Sequence, residues 1–305
     1  MPASADRPRR RAFRTACLVA ALLFAALPAL AQAPAPLAVR ISDRGPFRDY
    51  AREVLKLALD RSGHGYDIET VRTEATVPRL MRLLESGPDA AITVHWAATE
   101  PEFEERLLPV RIPIDRGLIG YRVLLIRQSE APRFAGVRSL DDLKSFTLGQ
   151  GFGWSHVAIL RAAGLQVQEI PEFEGLFRMV AAGNLDAVPR GATDIGREIA
   201  ERAKTEPDLA VEPHLALVYD HAAIFFFVNG RNLALYQAIK DGLDRAYADG
   251  SFMTLFENHP DIRAGLALAA QDRMLLKIPN PALTPATAAL DNRYFEDVVN
   301  RAAVR

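Results

Sequence analysis

Cysteine is nearly missing from this chain: Cys17 alone stands in 305 residues, inside an N-terminal apolar run. If that run is removed on export, the remainder has no thiol. Disulfides, a thiol nucleophile and a cysteine-based metal site are then excluded, and an oxidising compartment poses no thiol chemistry. The six histidines, at positions 64, 95, 156, 214, 221 and 259, show no metal-ligand spacing. Excess charge is missing too, with 37 Lys and Arg against 38 Asp and Glu. Residues 1–31 hold five Arg and one Asp, so the rest carries 32 basic and 37 acidic residues, a formal charge of −5. That balance argues against a nucleic-acid partner or an anionic membrane surface. The glycines of Gly149-Gln150-Gly151-Phe152-Gly153 lack the spacing of a dinucleotide turn, and Gly153-Trp154-Ser155-His156-Val157 lacks the last glycine of a nucleophile elbow.

What is present begins with an export signature. Arg7, Arg9, Arg10, Arg11 and Arg14 precede the apolar run Ala16 to Leu30, which closes on Ala29-Leu30-Ala31. A basic start, an apolar core too short for a spanning helix and an Ala-x-Ala end predict a signal peptide cleaved after Ala31, and hence a periplasmic protein. Cys17 precedes most of the apolar core, which argues against a lipid anchor.

From Leu37 the chain alternates strand and helix. Leu37–Ile41 reads as a strand, and Ala51, Val54, Leu55, Ala58 and Leu59 form one helical face stopped by Gly63. Tyr66–Val71 is a second strand, and Val77, Leu80, Met81 and Leu84 are a second helical face. Ala90–Val94 is expected as a third strand ending at His95-Trp96. This order favours a largely parallel sheet with ligands at the carboxyl ends of its strands. After the strand Tyr121–Ile126 the pattern repeats: a helix capped by Ser139, strands at 145–149, 166–170 and 185–188, and helices at 156–163 and 176–181. Ala223–Val228 reads as a buried core strand, and Asn232 caps a helix to Ala248 ended by Asp249-Gly250. Leu275 to Ala302 is expected as an extended wrap with a docked end.

The turn Gly151–His156 joins a strand to a helix, where unpaired N–H groups and glycines let a carboxylate come close. Arg190, just past the apolar run ending in Pro189, is placed to project as a bidentate carboxylate partner. A tight turn with a surface arginine is the bland alternative.

Taken together, Leu37 to Phe256 resembles the family 3 extracellular solute-binding proteins, the two-lobed periplasmic receptors of polar amino acid importers. The resemblance rests on the strand and helix order, Ser139-Leu140-Asp141-Asp142-Leu143 before the first strand of the second lobe, the return through Ala223–Asn229 and the helix ending in Asp-Gly. Leu176–Val180, Pro189-Arg190-Gly191 and Leu276–Pro281 resemble a divergent branch of it. The resemblance implies a type II periplasmic binding fold, α/β, with two mixed sheets flanked by helices and a ligand cleft at the hinge. The implied division is 1–31 signal peptide, 37–121 the first part of lobe 1, 122–222 lobe 2, and 223–305 the return to lobe 1 with a C-terminal extension. It also places Asp194 near the acid that reads a ligand amino group. One departure bears on the ligand: the usual Thr-x-x-Arg, whose arginine holds an α-carboxylate, reads Thr99-Glu100-Pro101-Glu102 here, with Arg106 and Arg111 as displaced substitutes.

The expected ligand set is therefore Arg190 for a carboxylate, Trp96 and Trp154 for packing, Ser155 with the Gly153 backbone as donors, and Asp43, Thr76, His95 and Asp194 for orientation. For His95 and Trp96 a satisfied core pair is the equal alternative, and for Arg44 and Arg111 a surface or salt-bridged role. The expected partners are a small-molecule ligand and a membrane permease or sensor, with no nucleic acid, no cofactor, no metal and a monomeric chain. Glu172, Glu174 or Asp194 can be cast as the acid of a dehydratase on the same architecture, a reading by analogy only.

Overall fold

A computed structural model describes residues 35–44 and 47–302. The expected signal peptide with its cleavage point, and Gly45 and Pro46 of the first turn, lie outside the described residues.

The described chain opens with β1 (Leu37–Ser42), α1 (Arg48–Ser62), β2 (Tyr66–Val71), α2 (Val77–Glu85), β3 (Val94–Ala98), α3 (Pro101–Arg106) and β4 (Leu108–Val110). The chain then crosses into β5 (Tyr121–Arg127), β6 (Thr147–Gly151), α4 (His156–Ala162), β7 (Gln166–Ile170), α5 (Phe173–Ala181), β8 (Val188–Gly191), α6 (Ile195–Arg202), β9 (Leu209–Val211) and β10 (Leu215–Tyr219). It returns as β11 (Ile224–Val228), α7 (Leu233–Ala248), α8 (Ser251–Asn258) and α9 (Pro260–Ala269), and ends in β12 (Met274–Ile278) and α10 (Asp297–Ala302).

The first sheet runs β2-β1-β3-β11-β4, with β1 parallel to β2 and β3, and β11 antiparallel to β3 and β4. The second runs β12-β10-β5-β8, with β9 also on β5. β6 and β7 pair in parallel, and a Leu148–Ala187 bridge ties β6 to the segment entering β8. Period-2 alternation explains the continuous apolar runs: in β11, Ile224, Phe226 and Val228 enter one core layer and Phe225 and Phe227 another, all fully buried.

Three sequence expectations shift. The third strand starts at Val94, so His95 and Trp96 lie within the strand and not at its end; Thr93, just before it, donates its N–H to the Arg40 carbonyl and takes the Arg40 N–H on Oγ1, both at 2.8 Å. β8 starts at Val188, so Arg190 is inside it. The C-terminal segment is not only a wrap: Met274–Ile278 adds a parallel edge strand to β10 of the second sheet.

Beyond β12 the chain works back across the molecule. Thr284 and Thr287 donate to the Glu104 carboxylate of α3 at 2.8 and 2.7 Å. Arg116, between the two sheets, pairs with Glu296 and donates to the Phe295 carbonyl at 3.2 Å, while Val299 joins the core of the second sheet. The two crossings between the sheets hold left-handed backbone at Arg116 (φ 49°), Gly117 (φ 79°) and His221 (φ 45°). Buried Asp115 fastens them together, accepting the Ile119 and Ile224 N–H groups at 2.7 and 3.0 Å. Burial pushes its carboxyl up to about 6.

Candidate functional site

In β5 the side chains alternate between Tyr121, Val123 and Leu125 on one core and Leu124 and Ile126 on the other, which puts Arg122 on the Leu124 face. Tyr219 lies on that same side, at the carboxyl end of β10. Arg122 is 2 % exposed, and its guanidinium donates to the Ile119 and Pro189 carbonyls, each at 3.3 Å, with the Tyr219 phenol close by. No carboxylate closes on it within salt-bridge distance, and burial lowers its pKa. Gln150, at the end of β6, donates to the same Pro189 carbonyl at 3.2 Å. His156 opens α4 with its ring centroid 5.6 Å from that of Tyr219.

Gly191 faces Arg122 across the β5–β8 ladder. A Cβ there would lie 2.8 Å from Asp194 Oδ2, 3.4 Å from Arg122 Nη1 and 3.5 Å from Thr193 Oγ1. The three polar groups crowd this position so closely that a side chain there would have to push the Asp194 carboxylate aside.

Around it Arg122 Nε, Gln150 Oε1, His156 Nδ1, Thr193 Oγ1 and Tyr219 OH are all buried without a hydrogen-bond partner. An unpaired buried polar atom costs about 1–3 kcal/mol, so several in one place mark a site meant to be satisfied by something else. Burial pushes Asp194 up to about 6, against the pull of Arg190. It also drives His156 well below its ordinary value, helped by Arg122 and Arg190, and raises Tyr219 to about 12. At neutral pH the cluster therefore offers one neutral imidazole, one phenol, one carboxylate and an arginine with no carboxylate paired to it.

The predicted residues divide between the two sheets. On the second, Trp154, Arg190 and Asp194 do come together. The indole covers Gly151, occupying the space a Cβ would need, and lies 5.1 Å from the Arg190 guanidinium. Arg190 is closed on Glu198 of α6, with Nε to Oε2 at 2.8 Å. Burial works against its charge, but Glu198 outweighs that and raises the pKa. Ser155 is half-buried beside Trp154 at the N-cap of α4, with no side-chain capping bond. Asp194 is buried at the N-cap of α6, its nearest cation Arg197 at 3.7 Å.

On the first sheet, His95 is fully buried with Nδ1 3.0 Å from Ser42 Oγ and Nε2 unpartnered. Burial holds its pKa down to about 3. Trp96 is fully buried in the main core. Asp43 accepts the Thr73 N–H at 3.1 Å, fixing the loop after β2, and Thr76 is exposed at the N-cap of α2. Asp43 also lines an open polar cavity of about 440 Å³ with Arg48, Asp49, Arg52, Thr70 and Arg72. Both displaced arginines are committed elsewhere: Arg111 pairs with Glu104 at 2.8 Å, and Arg106 with Glu102 and Glu85 at 3.2 and 3.6 Å. Thr99 is also bound to Glu104, at 2.5 Å. Glu102, at the position where the resemblance expects the arginine, is exposed and paired with Arg106.

Arg122, Gln150 and Tyr219 escaped the sequence reading, and His156, inside the turn it singled out, was given no role of its own. One signal was available for Arg122, the lone charge within the otherwise apolar Tyr121–Ile126.

No family model matches the sequence, and no curated protein matches it. Solved structures do match. The ligand-binding core of GluR0 from Nostoc punctiforme, in complex with L-glutamate, is 17 % identical with a TM-score of 0.52 over 74 % of this chain and 100 % of that one. A periplasmic binding protein from Salmonella typhimurium with high arginine specificity is 17 % identical, TM-score 0.52, over 72 % and 97 %. An ancestral amino acid-binding protein, a precursor of cyclohexadienyl dehydratase, is 15 % identical, TM-score 0.51, over 72 % and 94 %.

The fold is that of the two-lobed periplasmic binding proteins. Within a binding-protein fold the polar cluster sits at the carboxyl ends of β6, β8 and β10 and the start of β5, the edge from which the chain crosses to the other lobe. Among the described residues no helix is long and apolar enough to cross a membrane.

Proposed function

We propose that this chain is an exported solute-binding protein, monomeric in the periplasm, that captures a small polar or carboxylate-bearing metabolite between its lobes for an ABC-type importer. The observation that carries the reading is the cluster of unpartnered buried polar atoms at the strand ends of the second lobe. A ligand that pairs them gains hydrogen bonds in a desolvated place, where each is worth more than in water. Ser155, His156, Asp194 and Tyr219 are assigned to the proposed site, with Trp154 packed beside it. Left-handed residues at both crossings supply the hinge about which the lobes close.

The test is a thermal-shift screen of the chain from Gln32 onward against amino acids, hydroxy and oxo acids, aromatic acids, polyamines and sugars. A ligand present at a hundred times its Kd stabilises by about 2.7 kcal/mol, an easily read shift. Absence of any stabilising compound would count against capture. Recovery of a permease on crosslinking in membranes supports import, whereas recovery of a sensor protein assigns the chain to signalling.

A second reading is favoured by Asp194, a buried carboxyl raised to about 6 beside two arginines and so suited to general-acid chemistry near neutral pH. It predicts turnover of a cyclohexadienyl acid. Binding of such an acid without turnover removes it.

A further inference from the structure

We infer that residues 279–296 form a strap that limits how far the two sheets swing apart, and that the grip of Thr284 and Thr287 on Glu104 is the contact that yields when they do. The inference concerns the two-lobed fold and holds whatever the chain captures.

The strap begins and ends on the second sheet. It leaves β12, which lies in a parallel ladder on β10, and just beyond it Val299 is buried in the core of that sheet. Between those anchors the chain departs for the first sheet. Pro285 opens a single helical turn, Pro285–Ala288, whose cap Thr284 accepts the Thr287 N–H on Oγ1 at 3.2 Å. Positions three apart share a face of such a turn, so the two hydroxyls reach the same side. They meet one carboxylate: Thr284 donates to Glu104 Oε2 at 2.8 Å and Thr287 to Oε1 at 2.7 Å. Glu104 belongs to α3, which is seated on the first sheet through Phe103, its ring 6.0 Å from that of Phe227 in β11.

Glu104 is provided for without the strap. Thr99 donates to Oε1 and Arg111 to Oε2, the latter at 2.8 Å, and the side chain is only 2 % exposed. Burial works against its charge, but the three threonine hydroxyls and Arg111 outweigh that and lower the pKa. Releasing the strap therefore leaves no bare buried charge, and the hydroxyls it frees return to water. The grip at the crossings is of another kind. Phe295 packs on Gly117 of one crossing and the His221 ring of the other, while Arg116 holds Glu296 and the carbonyls of Arg293 and Phe295. Letting go there exposes an aromatic ring and separates an ion pair. The Glu104 contact is thus the one that opens first, and the partly or fully exposed spans 279–283 and 288–292 on either side of it leave room for the movement.

The chain from Gln32 onward has no cysteine, so two spin labels can be placed cleanly, at Glu53→Cys on α1 and Ser145→Cys just before β6, both exposed positions. The distance between them is measured without ligand by pulsed electron paramagnetic resonance in three backgrounds. These are the wild-type strap, Thr284→Val with Thr287→Val, and Thr284→Ser with Thr287→Ser, which keeps the hydroxyls. The expected result is a longer and broader distance distribution in the valine pair, with hydrogen exchange at 284–290 about tenfold faster, and a serine pair like the wild type. Where the melting temperature shows the valine pair too unstable to label, Thr287→Val alone is expected to give a smaller shift in the same direction. An unchanged distance overturns the strap, whether or not exchange quickens. So does a serine pair that opens as widely as the valine pair, because the hydroxyls would then not be what holds. No ligand enters the measurement, so its failure leaves capture standing, and a failed ligand screen leaves the strap standing.

Discussion

Arg190 and Glu198 are closed on each other as a bidentate pair eight residues apart, one in β8 and one in α6, with the Trp154 ring stacked on the guanidinium. Both side chains are more than nine-tenths buried. Such a pair is costly to break from one side, since the remaining charge stays buried alone. Glu198→Gln is expected to destabilise the fold by about 3–5 kcal/mol, and Arg190→Met with Glu198→Leu to recover most of that. Urea unfolding of the singles and the double settles it: an additive double variant would show that the two groups do not depend on each other.

Gly151 lets the Trp154 indole lie on the backbone at the end of β6. In Gly151→Ala the ring must move off, at a cost of about 1–3 kcal/mol for an overpacked site. Trp96 is fully buried in the main core, so a change in Trp fluorescence reports on Trp154. An unchanged spectrum and melting point would contradict the packing described.

His95 carries a pH dependence of definite sign. Its folded pKa is held at about 3 by burial, below the ordinary 6.5, so between those values the unfolded chain binds a proton that the native chain does not. The stability it contributes is fully present above pH 6.5 and is lost as pH falls toward 3, with a slope approaching about 1.4 kcal/mol per pH unit. Asp194 and Asp115, both raised to about 6, act oppositely, their contribution being present below about 3.8 and lost as pH rises to 6. His95→Gln should therefore flatten the fall in melting temperature between pH 6.5 and 4. An identical profile in the variant would refute the assignment.

Phe295, 2 % exposed, packs against Gly117 at one crossing and the His221 ring, 5.1 Å away, at the other. Phe295→Ala is expected to cost about 3–5 kcal/mol and to speed hydrogen exchange from Thr284 to Glu296. Exchange no faster than in the wild type would mean that the segment is held elsewhere.

Much of the fold was legible. The helical face of Ala51, Val54, Leu55, Ala58 and Leu59 is buried as its spacing requires, Gly63 closes that helix in the left-handed conformation, and Ser139 caps with Asp142 in a reciprocal box. These signals are local, set by periodicity and by backbone groups a few residues away. The strand entering His95 was placed several residues early because Ala90 is held in a turn by its N–H on the Gly87 carbonyl, which hydrophobic patterning does not record. β12 was missed because an edge strand needs only a neighbour to pair with, and its neighbour β10 lies more than fifty residues earlier.

The sequence by itself determined the alternation of strand and helix, the glycine turn at 151–153 and the supply of arginines and carboxylates, since these follow from side-chain periodicity and conformational preference. Tertiary structure decided which charges are spent. Thr284 and Thr287 come back across about 180 residues to close Glu104, Glu198 silences Arg190, and Arg122 is left facing the bare backbone of Gly191. A residue's charge is written in the chain, but its freedom to meet a ligand depends on which partner folding delivers to it.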